Sequence, residues 1–168
     1  SENIARGQYL YSSVSVCGAC HSAGGEENPD LLPTGGRVFD ISALGTIFTP
    51  NITPAMNTGI GGWTDGEVIR AIRQGIGKDD RFLVLMPAEL FVGMSDEDVQ
   101  AIVSYLRSLE AVENETEDYQ PSLMGRVLMS FMISPPDRIT GPVVAPPRGP
   151  TLEYGEYLAN YVSPCSAC

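Results

Sequence analysis

The 168-residue chain has one histidine, His21, and only four cysteines, which fall in two close pairs rather than in a scattered disulfide framework. A zinc site at His21 would have to recruit its other ligands without a second imidazole. Basic residues are scarce: 10 Lys and Arg stand against 21 Asp and Glu, giving a net charge of −11. That balance makes nucleic acid and anionic membrane surfaces poor partners, and a basic patch on another protein a better one, although solubility alone also accounts for it. Long apolar runs are missing too. The longest candidate, Leu123 to Ile133, carries Arg126 and falls well short of the roughly 20 residues that span a bilayer. Ser1 opens directly into a polar, helix-like stretch, with no basic and apolar leader ahead of it. A leader is therefore expected to have been cleaved, or to lie outside this numbering, and anchoring through another segment stays open. No run alternates convincingly as a strand, so an all-α architecture with large loops is expected.

What is present is Cys17-Gly18-Ala19-Cys20-His21. Two thiols three positions apart with an imidazole directly after the second form the attachment signature of a c-type haem. Each thiol can add across one porphyrin vinyl group, and His21 can supply an axial nitrogen. The rivals are zinc and a disulfide. Haem is attached to such pairs outside the cytoplasm in bacteria, so a periplasmic or other extracytoplasmic address follows from the motif.

The stretch from Asn3 to Val16 reads as a helix leading into the motif, with Ile4, Tyr9, Leu10 and Val14 inward. From Ser22 to Gly62 the chain is rich in Gly, Pro, Asn and Thr and reads as a long loop able to wrap a haem. Thr64-Asp65-Gly66-Glu67 is a capping box, with Trp63 ahead of it, Val68 at the staple position and Gly75 as the helix stop. Ser95-Asp96-Glu97-Asp98 repeats the device between Met94 and Val99, and its helix should end near Glu110. Residues 113–121 read as an exit from a first domain covering 1–112. An extension over 113–151 follows, with a short helix and a linker rich in proline.

The pattern then restarts. Gly155-Glu156-Tyr157-Leu158 precedes Cys165 by the same ten positions that separate Gly7-Gln8-Tyr9-Leu10 from Cys17. Val162-Ser163 mirrors Val14-Ser15, and Ala167 mirrors Ala19. Residues 152–168 therefore read as the start of a second haem domain, with Cys165 and Cys168 as its thioether cysteines and a histidine expected next. A redox disulfide between those two cysteines is the alternative.

A haem with one histidine usually takes a methionine sulfur on its other face. Met94 already has a place as a staple residue, Met56 lies in the Gly-rich loop, and Met124, Met129 and Met132 lie beyond the last helix of the first domain. Met86 sits in an apolar loop between two capped helices, and Pro87 after it restricts the backbone. It is the preferred ligand, with a core role as the alternative.

Together these residues resemble class I-like cytochrome c domains. More narrowly, they resemble the multihaem cytochrome subunits of bacterial membrane-bound alcohol, aldehyde and sugar-acid dehydrogenases. The resemblance rests on Gly7 to Leu10, the Cys17 to His21 motif, and Thr49-Pro50-Asn51-Ile52-Thr53-Pro54. It rests also on Thr58 to Asp65, Met86-Pro87, and Met94 to Val99 leading into Ala101 to Leu109. It implies one haem c in 1–112 held by Cys17, Cys20, His21 and Met86, with Asn51 and Trp63 bordering the haem or its propionates. Trp63 keeps its staple alternative. The implied role is electron transfer between redox proteins, within a respiratory or photosynthetic chain or from a dehydrogenase, and not catalysis. After Val112 the chain departs from the dehydrogenase subunits and looks more like dihaem relatives. The competing class is a peroxidase-like haem protein with an open sixth position.

Overall fold

The computed structural model describes residues 1–24, 31–131 and 139–167. In chain order its elements are α1 (Glu2–Tyr9), α2 (Gly18–His21), β1 (Val38–Ile41), β2 (Gly45–Phe48), α3 (Asp65–Gln74), α4 (Asp96–Ser108), β3 (Gln120–Pro121), α5 (Leu123–Phe131) and α6 (Leu152–Tyr161). They fall into two compact units. The first comprises Ser1–Val16, Trp63–Ser108 and Pro135–Cys168, and the second Cys17–Gly62 and Leu109–Ser134.

The core of the first unit is the crossing of α1 and α4. Gly7, Leu10 and Tyr11 share one helical face by their i, i+3, i+4 spacing, and all three are buried. A side chain at Gly7 would place its Cβ 1.9 Å from the Ala101 carbonyl oxygen, so the glycine is what lets the two backbones touch. Tyr11 packs on Tyr105 with ring centroids 5.2 Å apart, and Val99, Ile102, Val103 and Leu106 fill the α4 side. Tyr9, expected inward, is 49% exposed under the Arg6 guanidinium. It lies on the opposite side of the helix from the Gly7 face. Beyond Tyr9 the helix widens into a π-turn over Leu10–Val14.

The capping box at α3 forms in full. Thr64 Oγ1 accepts from the Glu67 N–H, the Glu67 carboxylate accepts from the Thr64 N–H at 2.7 Å, and Gly75 closes the helix in the left-handed conformation at φ 65°. Arg73 ties α3 to the start of α4 by pairing with Asp96 at 2.7 Å and donating to the Met94 carbonyl. Residues 139–150, read as a linker, run along the α4 start. Val143 and Asp96 exchange hydrogen bonds through the Asp96 N–H (2.9 Å) and the Asp96 carboxylate (3.3 Å), and Arg148 pairs with Glu97 at 2.5 Å. Thr151 then caps α6.

The second unit corrects the all-α expectation, because it holds a three-stranded antiparallel sheet in the order β1-β2-β3. Val38 pairs with Phe48, Ile41 with Gly45, and Thr46 with Gln120. The two longer strands have only four residues and no sharp inside-outside alternation, so no period marked them in the sequence. Residues 113–121, read as an exit, instead turn back through this unit together with Ser122. The Asn114 side chain donates to the Thr34 carbonyl at 2.8 Å, the Tyr119 hydroxyl to the Leu44 carbonyl at 2.7 Å, and Ser122 to the Ala43 carbonyl at 2.8 Å.

Candidate functional site

Cys17 is the N-cap of α2, Cys20 lies within that helix and His21 ends it. The spacing i, i+3, i+4 sets the three on one face of a single turn. Both cysteines carry thiols and no disulfide. Cys17 is half-buried, and desolvation pushes its thiol up to about 12, whereas Cys20 is exposed.

The imidazole is oriented by a backbone carbonyl: His21 Nδ1 lies 3.1 Å from the Pro50 oxygen. A carbonyl only accepts, so the contact puts the ring proton on Nδ1 and makes Nε2 the lone-pair nitrogen. Burial lowers the His21 pKa and outweighs the Pro50 carbonyl, which acts the other way, so the ring is held neutral. Such an outer hydrogen bond fixes the tautomer and raises the basicity of a metal-ligating histidine.

Two further residues build this arrangement, and sequence reasoning passed over both. Gly35, at φ 73°, donates its N–H to the His21 carbonyl at 2.8 Å. A Cβ there would fall 2.5 Å from both the Thr49 oxygen and the Pro50 carbonyl carbon, so only glycine lets the Pro50 segment lie this close to His21. Arg37 donates to the Ala19 carbonyl inside the motif, and its guanidinium stacks over Phe39 at 4.8 Å. The adjacent glycines Gly35-Gly36 were the available signal.

Asn51 is 2% exposed, and its amide is engaged inside the second unit. Its oxygen accepts from the Thr53 N–H at 2.9 Å, and its nitrogen donates to the Val112 carbonyl at 2.8 Å and to Thr58 at 3.2 Å. Asn51 thus fastens the 51–58 loop to residues 112–114.

Met86 and Trp63 belong to the first unit. Met86 is half-buried, and its backbone is pinned on both sides: its N–H donates to the Leu83 carbonyl at 3.1 Å and its carbonyl accepts from Ala88 at 2.8 Å. Among the other methionines, Met94 is fully buried and Met56 is 67% exposed, while Met132 lies outside the described residues. Trp63 is half-buried, and its carbonyl accepts from Arg107 at 2.5 Å. Cys165 is exposed, with its sulfur 3.0 Å from Ser163 Oγ, and Cys168 lies outside the described residues. A groove of about 630 Å³ runs beside α6, lined by Val92, Val143, Tyr157 and Tyr161 among others, and none of the expected haem residues lines it. No cluster of three or more His, Cys, Asp or Glu side chains fit to hold a metal ion occurs among the described residues.

Two thiols and a neutral imidazole with Nε2 as its lone-pair nitrogen, all on one turn, fit the covalent attachment and proximal ligation of a c-type haem. That chemistry, on a helical domain with a small sheet, defines the class as a haem-attaching electron carrier. The chain belongs to the cytochrome c family, whose sequence profile matches residues 4–110. Covalent haem c and electron transport go with that membership, and cytochrome c domains of this kind carry electrons rather than catalyse.

The chain is 30% identical to the gluconate 2-dehydrogenase cytochrome c subunit of Pantoea cypripedii, over 98% of this chain and 37% of that protein. It is 32% identical to the cytochrome c subunit of a quinone alcohol dehydrogenase of Gluconacetobacter polyoxogenes, over 98% of this chain and 35% of that protein. A diheme cytochrome c-type protein of Cereibacter sphaeroides is 25% identical over 90% of this chain and 52% of that protein. The chain thus spans about a third to a half of the length of these relatives. No helix among the described residues is long and apolar enough to cross a membrane.

Proposed function

We propose that this chain transfers electrons outside the cytoplasm through a haem c held by thioethers to Cys17 and Cys20, with His21 and Met86 as the axial pair. The observation that carries this reading is the His21 ring, turned by the Pro50 carbonyl 3.1 Å from Nδ1 so that Nε2 faces away as the ligating nitrogen. Bound haem c supplies a one-electron ferric–ferrous couple. The residues of the chain hold that couple in place. Gly35 and Pro50 fix the imidazole, Arg37 braces the motif through Ala19, and the pinned backbone at Met86-Pro87 presents the thioether. With His21 and Met86 both ligating it, the thioether would favour ferrous iron and raise the potential. Asn51 acts by holding the loop that follows Pro50. Trp63 borders the haem.

The partner is a redox protein, and the relatives favour a dehydrogenase complex of which this chain is part of a dihaem or multihaem subunit. The second haem is attached through Cys165 and Cys168. Its domain opens with α6. A Cβ added at Gly155 in that helix would meet no described atom beyond the helix itself within 4 Å, unlike one at the equivalent Gly7.

The test of the axial pair is Met86→Ala. The oxidised variant should lose the weak near-infrared sulfur-to-iron band and show a lower potential, while Met94→Ala keeps the band. A band unchanged in Met86→Ala overturns the ligand assignment. Uptake of an exogenous ligand by the resting wild-type protein would favour a catalytic haem with an open position instead.

A further inference from the structure

The start of α4 carries a buried polar cluster made of residues outside the haem-attaching set. Asp98 is 1% exposed and accepts both Arg6 Nε and Arg6 Nη2 at 2.9 Å. From α6, the Tyr157 hydroxyl donates to Asp98 Oδ2 at 2.9 Å, accepts the Ser95 N–H at 3.0 Å and lies 3.1 Å from Ser95 Oγ. Arg6 also reaches the Tyr154 hydroxyl at 2.9 Å.

Ser95 and Asp98 have capping-box spacing, and in a capping box the carboxylate returns to the N-cap N–H. Here only the outward half forms, with the Asp98 N–H donating to Ser95 Oγ at 3.2 Å. Arg6 takes the carboxylate, and the Tyr157 hydroxyl completes the cap. If α6 leaves, a buried N–H and a buried carboxylate oxygen each lose a partner, and desolvated polar groups penalise that state. The two faces of α6 point the same way. Tyr157 repeats Tyr9 and Gly155 repeats Gly7, yet the burial is exchanged: Tyr157 is 6% exposed against 49% for Tyr9, and Gly155 is exposed where Gly7 is buried. The α6 helix therefore docks through the face that α1 leaves outward, and keeps its glycine face open.

We propose that Arg6, Ser95, Asp98 and Tyr157 form a clasp that fixes the leading helix of the second haem domain on the first. The two haem domains are then held in one orientation and not merely tethered. This rests on the reading of residues 152–168 as the start of a haem domain. The segment 143–148 is fastened to the same α4 start and leads through Thr151 directly into α6, so release of α6 loosens the chain around the exposed Arg148 for trypsin.

The test uses the full-length holoprotein and its Tyr157→Phe and Tyr154→Phe variants, compared by intact mass and by the rate of tryptic cutting after Arg148. Tyr157→Phe should keep both haems and be cut about tenfold faster, and Tyr154→Phe, which removes a single contact to Arg6, about threefold faster. Two haems with unchanged cutting in both variants overturn the clasp and leave the dihaem reading standing. A wild-type mass with a single haem overturns the dihaem reading, and the clasp with it, before any cutting is measured.

Discussion

Alanine at Gly7 and at Gly155, equivalent positions of the repeat, should act with opposite signs in residues 1–168. At Gly7 the new Cβ would lie 1.9 Å from the Ala101 oxygen, 2.6 Å from the Ala101 carbonyl carbon and 2.8 Å from Tyr105 Cβ. Carbon and oxygen approach no closer than about 3.3 Å, so α1 and α4 must part by more than an ångström. Alanine gains about 1 kcal/mol of helix propensity over glycine. Overpacking a core costs about 1–3 kcal/mol, and here the obstacle is backbone, which cannot rotate away, so the upper end of the range applies. The net expectation for Gly7→Ala is a loss of about 2 kcal/mol. Gly155→Ala meets nothing described outside its helix and should stabilise α6 by about 1 kcal/mol. Urea unfolding followed by far-ultraviolet circular dichroism and by the Soret band measures both. A Gly7→Ala protein as stable as the wild type refutes the α1–α4 crossing. In the full-length protein, where a second domain would bring its own helix against Gly155, the same alanine should instead destabilise that domain.

Gly35→Ala forces a side chain into the left-handed region and against the Thr49–Asn51 backbone, so it should displace Pro50 from His21. The measurable outcome is a raised haem potential with both thioethers intact, because a ring that loses the bond raising its basicity donates less to ferric iron. The Glu113 carboxylate is held below the ordinary glutamate range by the Thr58 hydroxyl first, with backbone N–H groups of residues 57 and 58 adding to it. A depressed carboxylate contributes stability above its ordinary pKa and loses it as pH falls through the lowered value. Glu113→Gln should therefore lower stability at neutral pH and flatten the acid limb of a stability–pH curve, the variant and the wild type converging below about pH 4.

The parts of this fold legible in the sequence are those whose cause is local. Thr64, Glu67 and Gly75 lie within a dozen residues, and their cap and stop form as their types dictate. The Cys17 to His21 motif needs only one helical turn. The sheet was hidden because β3 pairs with β2 from more than 70 positions away, and no local period announces such a partner. Leu10 is buried as expected, but Tyr9 was placed inward because counting apolar residues gives glycine no weight, and Gly7 marks the contact with α4. Asp98 looked like the return half of a capping box, but its partners Arg6 and Tyr157 are brought to it by tertiary packing. The same holds for His21, whose orienting carbonyl comes from Pro50, across a loop with no repeating pattern.

The most direct measurement is the intact mass of the purified holoprotein after acid–acetone treatment, with alkylation of any remaining thiols. The account predicts that haem stays on the protein, that Cys17 and Cys20 resist alkylation, and that the full-length product carries at least two haems. Colour that leaves with the solvent, with Cys17 and Cys20 alkylated, would contradict it.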